Sequence, residues 1–188
     1  EGGWPGSNPR DKLFFELAKT ITFNHSHLTA FGGTRRPGIQ TADDQNVTAL
    51  LESDTPVVAI VGKSWDLHVE HVMKNTLEEN LAMIRDTVSF LNANGREVIY
   101  DAEHFFDGFK ENPDYALQTL IAAVDGGANI VVLCDTNGGT LPFEIESIIQ
   151  EVRKKLDKKY TASQGASPVK IGIHTHNDSE CAVANSLV

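Results

Sequence analysis

Lys170-Ile171-Gly172-Ile173-His174-Thr175-His176-Asn177-Asp178 opens as a strand and closes on two histidines. Residues two apart on a strand point to the same face. His174 and His176 are therefore expected side by side at a strand end, close enough to share one cation. Neutral imidazole is a common metal ligand. A His-x-His pair with no metal partner is the plainer alternative, and the rest of the chain has to decide between them.

Working outward, the same kind of buried strand recurs. Pro56–Val61, Glu97–Tyr100 and Asn129–Leu133 are short runs rich in Val, Ile and Ala, without polar alternation. Such runs suit strands covered on both faces. Helical signals separate them. Asn8-Pro9 supplies an N-cap and a first helical residue ahead of Leu13, Phe14, Leu17 and Ala18. Asp44–Ser53 reads as a short helix. Thr76 and Glu79 form a T-x-x-E capping box, and Leu77, Leu81, Ile84, Val88 and Leu91 follow at spacings of 4, 3, 4 and 3, with Gly95 placed to close the helix. Asn112-Pro113 starts another helix, and Thr140–Leu156 carries a further apolar stripe. His25–Phe31 is read as an early strand, Tyr160–Pro168 as a polar loop, and a last helix begins after the His-x-His motif.

Strand and helix thus alternate with strands roughly 30–40 residues apart, the length of a βα unit. That pattern predicts a parallel sheet with helices outside. A doubly wound sheet and a (β/α)8 barrel both satisfy it. Polar groups follow nearly every strand: Arg35 and Arg36, Ser64 and His68, Asp101 and Glu103, Asp135 and Thr136, His174 and His176. In a barrel these ends converge on one mouth, so the barrel is favoured.

Composition narrows the function. Lys plus Arg is 16 against 26 Asp plus Glu, a formal net charge of −10. No basic face for nucleic acid emerges, and Arg153–Lys159 is best read as a solvated helix face. No run approaches the ~18 apolar residues of a membrane span. Two cysteines without framework spacing, Cys134 and Cys181, point to a reducing, cytoplasmic setting. No G-x-G-x-x-G or P-loop signature is present. Taken singly, Glu103 is an ordinary loop acid, Asp135–Gly139 is turn chemistry, Phe105, Phe106 and Phe109 are packing residues, and His25 and His27 are structural.

Two motifs change that reading when taken together. Asp135-Thr136-Asn137-Gly138-Gly139 with Gly172–Asp178 strongly resembles the acyl-CoA-dependent 2-isopropylmalate, homocitrate and citramalate synthases, metal-dependent barrels related to 3-hydroxy-3-methylglutaryl-CoA lyase. Glu1–Pro9, Ala30–Pro37, Gly62–Val69 and Tyr100–Phe106 resemble the citramalate synthase branch in particular. The resemblance covers essentially the whole chain. It implies a Claisen-type condensation of acetyl-CoA, as co-substrate, with a 2-oxo acid, pyruvate being the favoured one. It also implies a divalent cation (Mg, Mn or Zn), with His174 and His176 as its ligands. By position, Glu103 matches the family's catalytic glutamate and Thr136 the threonine that holds the substrate carboxylate. A homodimer is expected for the full-length protein. A 2-isopropylmalate synthase, an acyl-CoA lyase, or a partial barrel without activity of its own are the alternatives.

Departures from the family pattern set limits. The family's first strand carries an Arg-Asp pair that has no counterpart here, and Asp101 stands where 2-isopropylmalate synthases carry a small hydroxyl residue. The chain is therefore expected to be residues 1–188 of a catalytic barrel with about five to six βα units, its first and last strands lying outside it. Alone it is expected to bind metal weakly and not to catalyse the condensation.

Overall fold

The computed structural model describes residues 1–160 and 168–188. Among these residues five parallel strands lie in sequence order in one sheet: β1 (Thr29–Gly33), β2 (Val57–Lys63), β3 (Glu97–Glu103), β4 (Ile130–Asp135) and β5 (Lys170–Thr175). Helices α1 (Pro9–Ala18), α2 (Gln45–Glu52), α3 (Leu77–Ala93), α4 (Phe105–Glu111), α5 (Pro113–Gly126), α6 (Pro142–Tyr160) and α7 (Ala182–Asn185) punctuate them. Sequential order without a switch point is the barrel arrangement; a doubly wound sheet would reverse direction. Among the described residues no helix is long and apolar enough to cross a membrane.

The helix starts follow the capping chemistry. The Asn8 side chain accepts from the Asp11 N–H, Asp44 accepts from Asn46 and Val47, Thr76 accepts from Glu79, and Asn112 accepts from Tyr115. The capping box at Thr76 is only half closed. Glu79 does not reach back to the cap; its carboxylate takes the Arg35 guanidinium at 2.7 Å and the Gly38 N–H at 3.3 Å.

Register separates the two faces of the sheet. Tyr100 lies opposite Ile60 and Val131, and Ala102 opposite Leu133. These residues, with Val58, Val98 and Ile84, Val88 and Leu91 of α3, form the buried core between sheet and helices. The other face carries Ala59, Val61 and Lys63 on β2, Ile99, Asp101 and Glu103 on β3, and Val132 and Cys134 on β4. It is apolar at depth and polar at the C-terminal end. That gradient is what a barrel interior needs, with packing below and chemistry at the mouth.

Several boundaries differ from the sequence reading. His25–Leu28 are not in a strand; β1 begins at Thr29, and His25 and His27 are exposed, so no second His-x-His pair exists on a strand. Strand β3 runs three residues further than expected, which makes Glu103 its last residue instead of a loop acid. Phe105, Phe106 and Phe109 are buried as packing residues, and they lie on α4, a helix that the sequence pattern does not reveal. Seven residues cannot show two turns of apolar periodicity, and this helix has no side-chain cap. Of the expected Tyr160–Pro168 loop, Tyr160 ends α6 and 161–167 lie outside the described residues.

Candidate active site

The site lies at the C-terminal ends of β2 to β5. Lys63 pairs with Glu103 in register, Ala102 with Leu133, and Cys134 with His174. Continuing the β3–β4 register by one residue puts Lys63, Glu103, Cys134 and His174 on one rung. In-register residues of a parallel sheet share a face, so all four side chains leave the sheet on the side away from the helices. Thr136 and His176 follow one step beyond the last β4–β5 pair, Asp135 with Thr175. Of the four residues singled out from the sequence, Glu103 and His174 therefore stand on β3 and β5 at one end of one face, and Thr136 and His176 just past the ends of β4 and β5.

The two imidazoles have ring centroids 5.1 Å apart and planes inclined at 45°. Both are exposed. They suit a shared cation: two neutral nitrogen donors on one side of one strand end. Stitching between loops holds them there. The His176 N–H donates to the Asp135 carbonyl at 3.2 Å, and the Ser179 N–H and Oγ both donate to the Gly138 carbonyl. Gly138 takes φ +61°, and a Cβ there would stand 2.5 Å from an Asp178 oxygen. Only glycine allows both the turn and the close approach.

Glu103 forms an ion pair with Lys63. Lys63 closes β2 just ahead of a π-turn, His68–Val72. That turn brings His68 against His104 (centroids 4.5 Å) and Trp65 (4.8 Å). Burial, then the neighbouring His104 and Lys63, lower the pKa of His68 and favour its neutral form.

Thr136 has a specific neighbour. The His104 backbone N–H donates to Thr136 Oγ at 2.8 Å. His104 adopts a left-handed conformation, φ +53°, sparsely populated by non-glycine residues. Its ring nitrogen Nδ1 lies 3.1 Å from Asp107 Oδ2, and that oxygen also accepts from the Asn137 side chain at 3.0 Å. With its oxygen already accepting, the Thr136 hydroxyl has its own proton free to donate outward.

Behind this row sits Asp101. Burial, and then the Glu1 carboxylate, push its pKa up to about 6. Burial, followed by Asp101, Glu103 and Glu1, pushes the Cys134 thiol well up. Asp101, Cys134 and His174 present ligand atoms that all lie within 4.8 Å of one another.

The remaining strand-end groups do structural work. Arg35 is buried, binding Asp86 through Nε and Nη2 and Glu79 through Nη1. Arg36 donates from its N–H and Nε to Asp44. Ser64 is buried in a hydroxyl cluster with Tyr100 and Thr119. Asp135 accepts from the Thr140 hydroxyl at 2.8 Å and holds the turn. Lys63, His104, Asp107 and Asn137 were not singled out from the sequence. Lys63, His104 and Asn137 stand inside stretches quoted for the resemblance, but their contacts depend on the register of β2, β3 and β4.

Comparison with known proteins agrees with this architecture. Residues 22–188 match the HMGL-like family model. The chain is 56% identical over 188 residues to the (R)-citramalate synthase of Aquifex aeolicus (strain VF5), covering all of this chain and 34% of that protein. It is 28% identical over 187 residues to the 2-isopropylmalate synthase of Listeria monocytogenes serotype 4a (strain HCC23), again covering 34% of it. It thus spans about a third of the length of the curated relatives it matches. Among solved structures, the hydroxymethylglutaryl-CoA lyase of Pseudomonas aeruginosa superposes with a TM-score of 0.70 at 16% identity, over 98% of this chain and 57% of that one. The fold is accordingly that of a partial TIM barrel, and the chain belongs to the HMGL-like family.

Proposed function

We propose that this chain is the catalytic-barrel portion, residues 1–188 as numbered here, of an enzyme that condenses acetyl-CoA with pyruvate and water to give (R)-citramalate and CoA. The observation that carries the substrate choice is the gap in identity: 56% to a citramalate synthase against 28% to a 2-isopropylmalate synthase over the same stretch. The placing of Glu103, Thr136, His174 and His176 at one end of the sheet supports the reaction class.

His174 and His176 would hold the divalent cation, and their spacing and exposure at one strand end fit that role. When bound, the cation supplies Lewis-acid polarisation of the 2-oxo acid's keto group. Thr136 holds the substrate carboxylate: its oxygen accepts the His104 N–H, and its own hydroxyl proton remains to donate to the acid. Glu103 is the acid–base group, taking a proton from the acetyl methyl so that the carbanion can add to the keto carbon. Lys63 keeps the Glu103 carboxylate in place at the strand end. Water then releases CoA. The unpaired thiols Cys134 and Cys181 suit a cytoplasmic setting, and the full-length protein is taken to be a homodimer, which light scattering would check.

The test is CoA release by the full-length protein, followed with a thiol reagent, with pyruvate or 2-oxoisovalerate as acceptor. One or two extra carbons in a fitted pocket are worth about 10–200-fold in kcat/KM, and pyruvate should be preferred by that order. Equal use of both acids, or preference for the branched one, would remove the pyruvate assignment and leave a 2-isopropylmalate-type activity. No CoA release with either would remove the condensation.

A further inference from the structure

We propose that Asp101, Cys134 and His174 form a second cation site, selective for thiophilic divalent ions, that competes with the His174–His176 pair. The inference uses His174 but does not depend on the condensation reading.

The argument starts from the sheet. Cys134 and His174 are register partners on β4 and β5. Asp101 sits on β3 two residues before Glu103, on the same face and one step deeper. Three different ligand types therefore converge from three adjacent strands, with donor atoms within 4.8 Å of one another. Zinc-type ligand bonds of about 2.0–2.3 Å require donors somewhat closer than that. Closing of that gap is assigned to rotation of the Asp101 and His174 side chains, each with two torsions. Among the described residues no other group of three such side chains comes together in this way.

Charge and softness separate the two sites. The histidine pair offers two neutral nitrogens. The deeper trio offers a carboxylate, a thiolate and one imidazole, so two negative charges meet the dication. A sulfur ligand selects zinc, cobalt or cadmium over magnesium or calcium. The Cys134 thiol is protonated when free, and its proton passes to bulk water as the metal–sulfur bond forms. Cys134 is 6% exposed and Asp101 9%, so these two ligands lie beneath the exposed His174 and His176. Water completes the fourth position. Because His174 belongs to both sets, the two sites cannot be filled together.

Cobalt(II) reports the difference directly, since a thiolate ligand produces an intense near-ultraviolet sulfur-to-cobalt band that imidazole and carboxylate do not. Cobalt(II) is titrated into the full-length protein and into its variants, with circular dichroism confirming the fold. The band should appear in the parent chain and in Cys181→Ser, and be lost in Cys134→Ser. Asp101→Asn and His174→Asn should each weaken cobalt binding by more than about tenfold, since even outer-shell partners of a metal cost 10–100-fold. Should Cys134→Ser fail to fold, the parent chain answers alone. Cobalt should slow iodoacetamide labelling of Cys134, located by peptide mass, by about tenfold or more. No band in the parent chain, a band that survives Cys134→Ser, or Cys134 labelling indifferent to cobalt would each overturn the site.

Discussion

Replacing Thr136 separates two jobs that one hydroxyl performs. Its oxygen accepts the His104 N–H at 2.8 Å, in a partly buried position. Its proton is assigned to the substrate carboxylate. Thr136→Val keeps the shape and removes both. An orphaned, fully buried N–H costs about 1–3 kcal/mol. His104 is only partly buried, so water offsets some of this, and about 1 kcal/mol is the expected loss of stability. In a chain of this size that lowers Tm by about 2–4 °C. A hydrogen bond to a charged carboxylate is worth about 1.5–3 kcal/mol, which translates to a fall of roughly ten- to 150-fold in kcat/KM. Thr136→Ser retains the hydroxyl and should spare both quantities to within a factor of a few. Thermal unfolding of the chain reads the first effect, and CoA release by the full-length protein reads the second. Two results would refute the reasoning. If Thr136→Ser is as damaging as Thr136→Val, the methyl group and not the hydroxyl matters. If Thr136→Val is fully stable, the His104 N–H does not depend on Thr136.

Three further outcomes are expected. Glu103→Gln in the full-length protein should lower kcat by about 100-fold or more, the usual scale for a lost general acid or base, with metal affinity nearly unchanged. Loss of the metal with it would make Glu103 a ligand instead. For Asp44, burial pushes the pKa up, but hydrogen bonds from Arg36, Asn46 and Val47 outweigh it, and the folded value lies below the ordinary 3.8. Its contribution to stability is thus complete above 3.8 and lost as pH falls through the lower folded value; urea midpoints should fall less steeply with acid in Asp44→Asn than in the parent. Lys74 is exposed with φ +53°, and since a non-glycine residue costs about 1–2 kcal/mol there, Lys74→Gly should stabilise the fold by up to about 1 kcal/mol, read as a higher urea midpoint. An unchanged or lower midpoint would show that the side chain compensates.

The legible parts of the fold were those whose signal is local. Caps at Asn8, Thr76 and Asn112 announce themselves within four residues and stand where expected, while Asp44, read as the first residue of a helix, caps it instead. Buried strands β2 and β4 are continuous apolar runs, and the alternation of strand with helix gives the parallel sheet. What escaped was short or decided at a distance. Helix α4 spans seven residues and follows β3 directly after His104. Its four buried residues are fixed by the sheet and by α5 and α6, which no window of its own sequence reveals. The His25–Phe31 stretch reads as one strand, yet only from Thr29 does it find Val57 and the rest of β2 to pair with.

The site obeys the same division, with one difference. Glu103, Thr136, His174 and His176 were reached through motifs, but the physical reason Glu103 and His174 share a face is parity. Once β3 and β4 are in register at Ala102 and Leu133, every second residue on each strand faces away from the helices. That rule alone leads from Glu103 back to Asp101 and across to Lys63 and Cys134. It could have been applied to the sequence, had the register been known. The register, however, is set by the packing of Tyr100, Val131 and Leu133 under the helices, because a slip of one residue would turn each of them outward and bring the charged rung into the core. The same burial that makes the sheet stable therefore places a lysine, a glutamate, a cysteine and a histidine on one line at its polar end. A substitution that loosened the helix side, such as Leu133→Ala, should perturb the chemistry of that line without touching any member of it.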